Sequence, residues 1–135
     1  MKNIVLFLFL LSPYYAKEYV VVSNMNVKQL SKEQVKAIFL KKNLRLDGTK
    51  LVPVNLSYNS EVRKSFETNI LKMGKSRLKS YWSKQHYMGI RPPVSLKSQE
   101  ASVSFVKNVD GAIAYMELEK YDSTLNILYK WSDKE

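Results

Sequence analysis

The chain reads as an α/β domain, a small mixed sheet flanked by helices. Two kinds of segment predict it. Apolar runs over 19–22, 51–54 and 112–116, rich in β-branched residues, suit extended chain. Between them, apolar residues recur three or four apart, as Val35, Ile38 and Phe39 do, or Val62, Phe66 and Ile70, which is helical spacing.

The first strand is expected over 18–23, where Tyr19, Val20, Val21 and Val22 form an unbroken run suited to burial on both faces. A helix follows over 30–40. Ser31 and Gln34 make a capping box, Leu30 and Val35 have the spacing of a hydrophobic staple, and Lys41 and Lys42 suit the negative end of the helix dipole. Residues 43–50 read as a loop turning at Asp47-Gly48.

Leu51, Val52 and Val54 start a second strand. It runs into a polar corner of Ser57, Tyr58, Asn59 and Ser60, and then into a helix reaching about Lys72 with Gly74 as its C-cap. Ser76 opens a further helix to about Tyr87, with Leu78, Tyr81, Trp82 and Gln85 on one face and Gly89 ending it. Arg91-Pro92-Pro93 is extended, because proline cannot continue a helix. Ser98 and Glu100 open the next helix, with Phe105, Val106 and Val109 as its inner stripe. After the Asp110-Gly111 turn come a strand over 112–116 and a final edge strand over 125–131. The order is strand, helix, strand, three helices, then two strands, with no repeat and no dividing linker.

The totals narrow the chemistry. The sequence has 135 residues, a formal charge of +10, no cysteine and a single histidine, His86. Disulfides, thiolate nucleophiles and cysteine metal sites are excluded, as is a multi-His centre within one chain. His86, late in its helix, reads as a C-terminal capping or half-buried residue. No paired-carboxylate motif appears, so no enzyme and no cofactor is expected. The positive balance suits anionic partners. Lysines look dispersed rather than gathered into a stripe interleaved with aromatics, so nucleic acid is not an expected partner.

Lys2, the apolar run over 4–11, the Ser12-Pro13 break and Ala16 have the layout of a signal peptide over 1–16. The run is too short for a membrane span of about 20 residues. Tyr14, bulky two positions before Ala16, leaves the cut unfixed and an uncleaved interfacial anchor as the alternative. The expectation is one periplasmic domain over 17–135 with no membrane span in the mature chain.

The corner after the second strand is the candidate site. A helix start presents unpaired N–H groups and the positive end of a dipole, which together seat an anion. Ser60 is its N-cap or a ligand contact, and the first N–H groups belong to Ser60, Glu61 and Val62. Ser57 and Asn59 offer further donors or simply close the turn. Arg63 can reach back over the corner, or pair with Glu67 one turn on. Ser23 and Asn24, ending the first strand, are expected at the same sheet edge, where α/β folds place ligands. Arg91 reads as a solvated loop cation. Tyr81, Trp82 and Tyr87 are expected in the core, or else on a recognition surface.

A family resemblance rests on five motifs in order. Leu30-Ser31, followed by Val35, Ile38 and Phe39, resembles an L-S-x-x-x-hydrophobic-x-x-I-F segment of phosphate-type periplasmic solute-binding proteins. Asp47-Gly48 with Leu51-Val52-Pro53-Val54 is similar to their D-G-x-x-(I/L)-x-P-V, and Ser60, Arg63 and Phe66 to their S-x-x-R-x-x-F. Tyr81-Trp82 with Tyr87 and Gly89 fits their Y-W … F-x-G region. Gly111-Ala112-Ile113-Ala114-Tyr115 fits G-A-I-G-Y, with Ala114 where glycine is usual. The resemblance implies one lobe of a type II periplasmic-binding-protein-like fold, as in the single-lobe phosphate ABC transporter substrate-binding protein-like members. It implies an exported protein that binds a small oxyanion, phosphate foremost, linked to ABC-type uptake through a permease. In the two-lobed phosphate binders this corner carries an Arg and then Ser-Gly-Thr. Here Leu56 stands at the Arg place, Ser60 matches, and Glu61 and Val62 replace Gly and Thr. Loss of that Arg removes a bidentate donor. The alternative is therefore a periplasmic interaction module that has lost solute binding and meets an envelope protein or, as a homodimer, a second copy.

Overall fold

The computed structural model describes residues 16–133. Apart from Ala16, the expected signal segment lies outside the described residues. The strands are β1 (Glu18–Ser23), β2 (Arg45–Leu46), β3 (Thr49–Lys50), β4 (Val52–Leu56), β5 (Val94–Leu96), β6 (Ala112–Glu117) and β7 (Asn126–Ser132). The α-helices are α1 (Lys32–Phe39), α2 (Glu61–Phe66), α3 (Lys75–Tyr87) and α4 (Gln99–Asn108). Five strands form one mixed sheet in the order β5-β4-β6-β1-β7. β4 runs parallel to β5 and β6, whereas β1 runs antiparallel to β6 and β7.

Two-residue alternation sorts each central strand between two cores. Tyr19 and Val21 of β1 and Ile113 and Tyr115 of β6 join α1, α2 and Leu78 of α3 on one face. Val20, Val22, Ala112, Ala114 and Met116 join Val106 of α4 on the other. Both faces are therefore buried, which is why these strands read as continuous apolar runs. The larger core is aromatic. Phe66 stacks on Tyr115 with centroids 4.1 Å apart and meets Phe39 edge-on at 4.8 Å. Each such pair contributes roughly 0.5–1.5 kcal/mol beyond its buried area.

Local signals account for most boundaries. Both bonds of the Ser31–Gln34 capping box form, at 3.1 and 2.8 Å. Ser98 accepts the Ala101 N–H at 3.0 Å to start α4. The expected loop over 43–50 is instead a small hairpin, β2 with β3, because Asp47 and Gly48 both take positive φ, as a tight two-residue turn requires. Gly74 is not the C-cap of α2. The α2 backbone loosens into a π-helical stretch, Glu67–Leu71, which Lys72 ends in the left-handed region, and Gly74 caps the start of α3. A strand that the Pro-Pro segment conceals, β5, pairs in parallel with the second half of β4. Tyr87 is not core but 90% exposed, while Tyr81 and Trp82 are half-buried.

No helix among the described residues is long and apolar enough to cross a membrane.

Candidate anion-binding corner

The corner lies where β4 ends and α2 begins. Ser57 carbonyl accepts the Ser60 N–H at 2.9 Å, closing the turn. Ser60 then caps the helix by accepting the Arg63 N–H at 3.2 Å. The N–H groups of Glu61 and Val62, first in the helix, have no carbonyl four residues back within it. Val62 turns its side chain into the core, while the Glu61 carboxylate, 86% exposed, pairs with Lys64 at 3.1 Å. A pair so open to water contributes little and leaves Glu61 free to swing.

Arg63 organises the corner. Its Nε donates to Glu67 at 2.9 Å, and Nη1 donates to the Leu56 carbonyl at 3.0 Å and to Ser95 Oγ at 3.3 Å. Both readings of Arg63 thus hold together: it pairs one turn on and reaches back across the corner. Its guanidinium stands 5.8 Å from the Tyr58 ring centroid. Ser57 Oγ donates to the Leu96 carbonyl at 3.5 Å, a long bond that ties the corner to edge strand β5. Asn59 is exposed on the turn.

Ser23 and Asn24 do not join this group. β1 is antiparallel to β6 and β4 is parallel to it, so the C-terminal end of β1 sits at the other end of the sheet. Register fixes this: Ser23 faces Ile113, which faces Pro53 at the start of β4. Ser23 is fully buried and accepts the Met25 N–H at 3.1 Å, while Asn24 is exposed. Placing Ser23 and Asn24 at the corner requires β1 to run in the same direction as β4, and the reversed β1 of this mixed sheet puts them at the opposite edge.

Beside the corner opens a groove of about 600 Å³ whose lining includes Asn55, Tyr58 and Arg63 of the corner and Lys75, Lys79 and Trp82 of α3. The lysines were missed as site residues because they look unremarkable in a lysine-rich sequence. Among the described residues no group of three or more His, Asp or Glu side chains could hold a metal ion.

No family model matches the sequence, and no curated protein matches it. Solved structures do. An ABC-type phosphate transport receptor from Vibrio cholerae superposes with a TM-score of 0.67 at 16% identity, over 84% of this chain and 47% of its own. A protein described as a phosphate ABC transporter substrate-binding protein, from Clostridium perfringens and with bound phosphate, gives 0.64 at 20% identity, covering 84% and 45%. PstS from Borrelia burgdorferi gives 0.62 at 12%, covering 85% and 48%. The chain spans about half the length of each. The five-stranded mixed sheet, with the four α-helices of the described residues, therefore has the fold of one lobe of a PstS-like periplasmic binding protein.

Proposed function

We propose that the chain is an exported binding protein for a small oxyanion, phosphate foremost, acting with ABC-type uptake. The observation that carries this reading is a lobe fold shared with phosphate receptors, with a serine-capped helix start and an arginine at its polar corner. The ligand groups would be the N–H groups of Glu61 and Val62, the hydroxyls of Ser57 and Ser60, the Asn59 amide and the Arg63 guanidinium. Arg63 offsets the loss at Leu56. It sits one helical turn along, yet its Nη1 stands 3.0 Å from the Leu56 carbonyl, at the corner itself. The mature domain would be residues 17–135, released into the periplasm after removal of 1–16.

Calorimetric titration of the mature chain with phosphate and with sulfate tests this. Saturable heat with phosphate, accompanied by a rise in thermal midpoint, is expected. No heat and no thermal shift at about 1 mM ligand, a binding free energy of roughly −4 kcal/mol, would overturn it.

A second reading is an interaction module without solute binding, whose partner is an envelope protein or a second copy. Leu56 is aliphatic and buried, so no cation stands at its place, and the Glu61 carboxylate stands at the helix start where it repels an anion. A homodimer that buries the corner, found by sedimentation without phosphate, would favour this reading. A phosphate-binding monomer would reject it.

A further inference from the structure

Residues 68–99 hold seven Lys and Arg and no Asp or Glu. Helix α3 forms the middle of this segment, and Leu78 is its one fully buried residue. None of its lysines or arginines joins an ion pair among the described residues. Four of the seven, Lys75, Arg77, Lys79 and Lys84, lie along this one helix.

The groove of about 600 Å³ runs along this helix. Phe39, Leu71, Leu78 and Trp82 give it apolar walls. Lys75 and Lys79, one helical turn apart, stand over them, and Lys75 Nζ lies 4.3 Å from the Tyr58 ring centroid. The carboxylate in the lining, Glu67, is held by Arg63 at 2.9 Å and so does not neutralise the lysines. The volume lies within the roughly 300–1,000 Å³ typical of organic-ligand pockets and far exceeds an inorganic anion. Apolar walls below cations that join no ion pair among the described residues fit one chemistry, an anionic group on an apolar body. A second copy of α3 would bring like charge. A bilayer would meet the exposed Ser80 and Ser83 on the outer face of the helix, not an apolar stripe.

We propose that this groove binds a small organic anion, its apolar body against Trp82 and Leu78 and its charged group held by Lys75 and Lys79. The site adjoins the oxyanion corner and is bordered by Arg63 and Tyr58, but it holds its charged group with Lys75 and Lys79 and requires neither Arg63 nor the helix start.

The full chain is titrated with 1-naphthyl phosphate, 1-naphthalenesulfonate, neutral 1-naphthalenemethanol and inorganic phosphate. Binding is read by tryptophan fluorescence, since Trp82 is half-exposed and Trp131 only 2% exposed, and independently by calorimetry. Both naphthyl anions should bind saturably, and the neutral compound about tenfold or more weaker. The surface double variant K75Q/K79Q should weaken both anions by about tenfold with its thermal midpoint unchanged. Sulfonate binding that persists under excess inorganic phosphate supports a groove separate from the corner, and it does so even if phosphate itself produces no heat. Absence of saturable binding, equal affinity for the neutral compound, no effect of K75Q/K79Q, or displacement by inorganic phosphate would each overturn the proposal.

Discussion

The phenol oxygen of Tyr115 accepts the backbone N–H of Leu56 at 3.2 Å. It also donates to Asn55 Oδ1 at 2.7 Å. The β4–β6 ladder pairs only Val52 with Ala112 and Pro53 with Ile113, so beyond it a side chain satisfies the buried end of β4. The Tyr115 ring meanwhile stacks on Phe66 of α2. One tyrosine therefore joins the central strand to both limbs of the corner, and its burial keeps the phenol neutral far above the ordinary tyrosine range. Tyr115→Phe keeps the ring and deletes the acceptor, leaving a buried N–H unpaired. It should cost about 1–3 kcal/mol in denaturant unfolding. A cost under about 0.5 kcal/mol would mean that the Leu56 N–H finds another partner.

Gly111 sits in the turn before β6 with φ of +84°, and a Cβ built on it would strike the Lys50 carbonyl. The close approach is productive, because the Gly111 carbonyl accepts the Val52 N–H at 2.8 Å and so starts the β4–β6 pairing. Gly111→Ala adds both strain and a clash with backbone. It should destabilise the fold by more than about 1 kcal/mol, seen as a lower thermal midpoint. Gly48→Ala is the comparison: its φ is also positive, but its added Cβ meets nothing within 4 Å, so it should cost less.

The elements legible in the sequence are those whose causes are local. The Ser31–Gln34 box, the Ser60 and Ser98 caps and the valine run of β1 each carry their signal within a few residues. Strand β5 does not. Val94 is 67% exposed, and the strand exists because β4 offers it a free edge. The end of α2 is concealed for a related reason: Lys72, not a glycine, takes the left-handed cap, with the π-helical stretch burying Asn69, Ile70 and Leu71 together. The junction of β4 and α2 is legible because capping chemistry is local, and Ser60 caps the helix as its sequence predicts. The misplacement of Ser23 and Asn24 and the unseen Lys75–Lys79 rim both depend on strand direction and helix docking, which no window of sequence contains.

Tyr19 provides a pH test. It is buried, and its hydroxyl donates to Asp133 Oδ2 at 2.9 Å. Burial first, and that bond second, push its pKa up to about 12. In the unfolded chain a tyrosine ionises near its ordinary value, about 10. The raised pKa marks a fold that favours the neutral phenol. Its contribution is complete below about pH 10 and is lost as pH rises from there toward 12. Urea midpoints should fall across that window, in step with the appearance of phenolate absorbance. Tyr19→Phe should make the fall shallower without abolishing it, since Tyr115 remains to be ionised. An unchanged slope would show that Tyr19 is neutral and charged with equal ease in the fold.

Ser60 allows capping and binding to be separated. Its hydroxyl accepts the Arg63 N–H at 3.2 Å through a lone pair, which leaves its own hydrogen to donate to an anion. Ser60→Ala removes both functions and should cost about 1 kcal/mol of stability, whereas Ser60→Gly should cost only a few tenths because glycine tolerates the cap position. If the hydroxyl contacts phosphate, the two variants lose affinity equally despite unequal stability, and Ser60→Thr restores much of it. If Ser60 acts only by ordering the helix start, affinity follows stability: Ala binds worse than Gly. Unfolding curves and phosphate titrations on the three variants distinguish these cases, because the ligand role depends on one oxygen and the capping role on the backbone it holds.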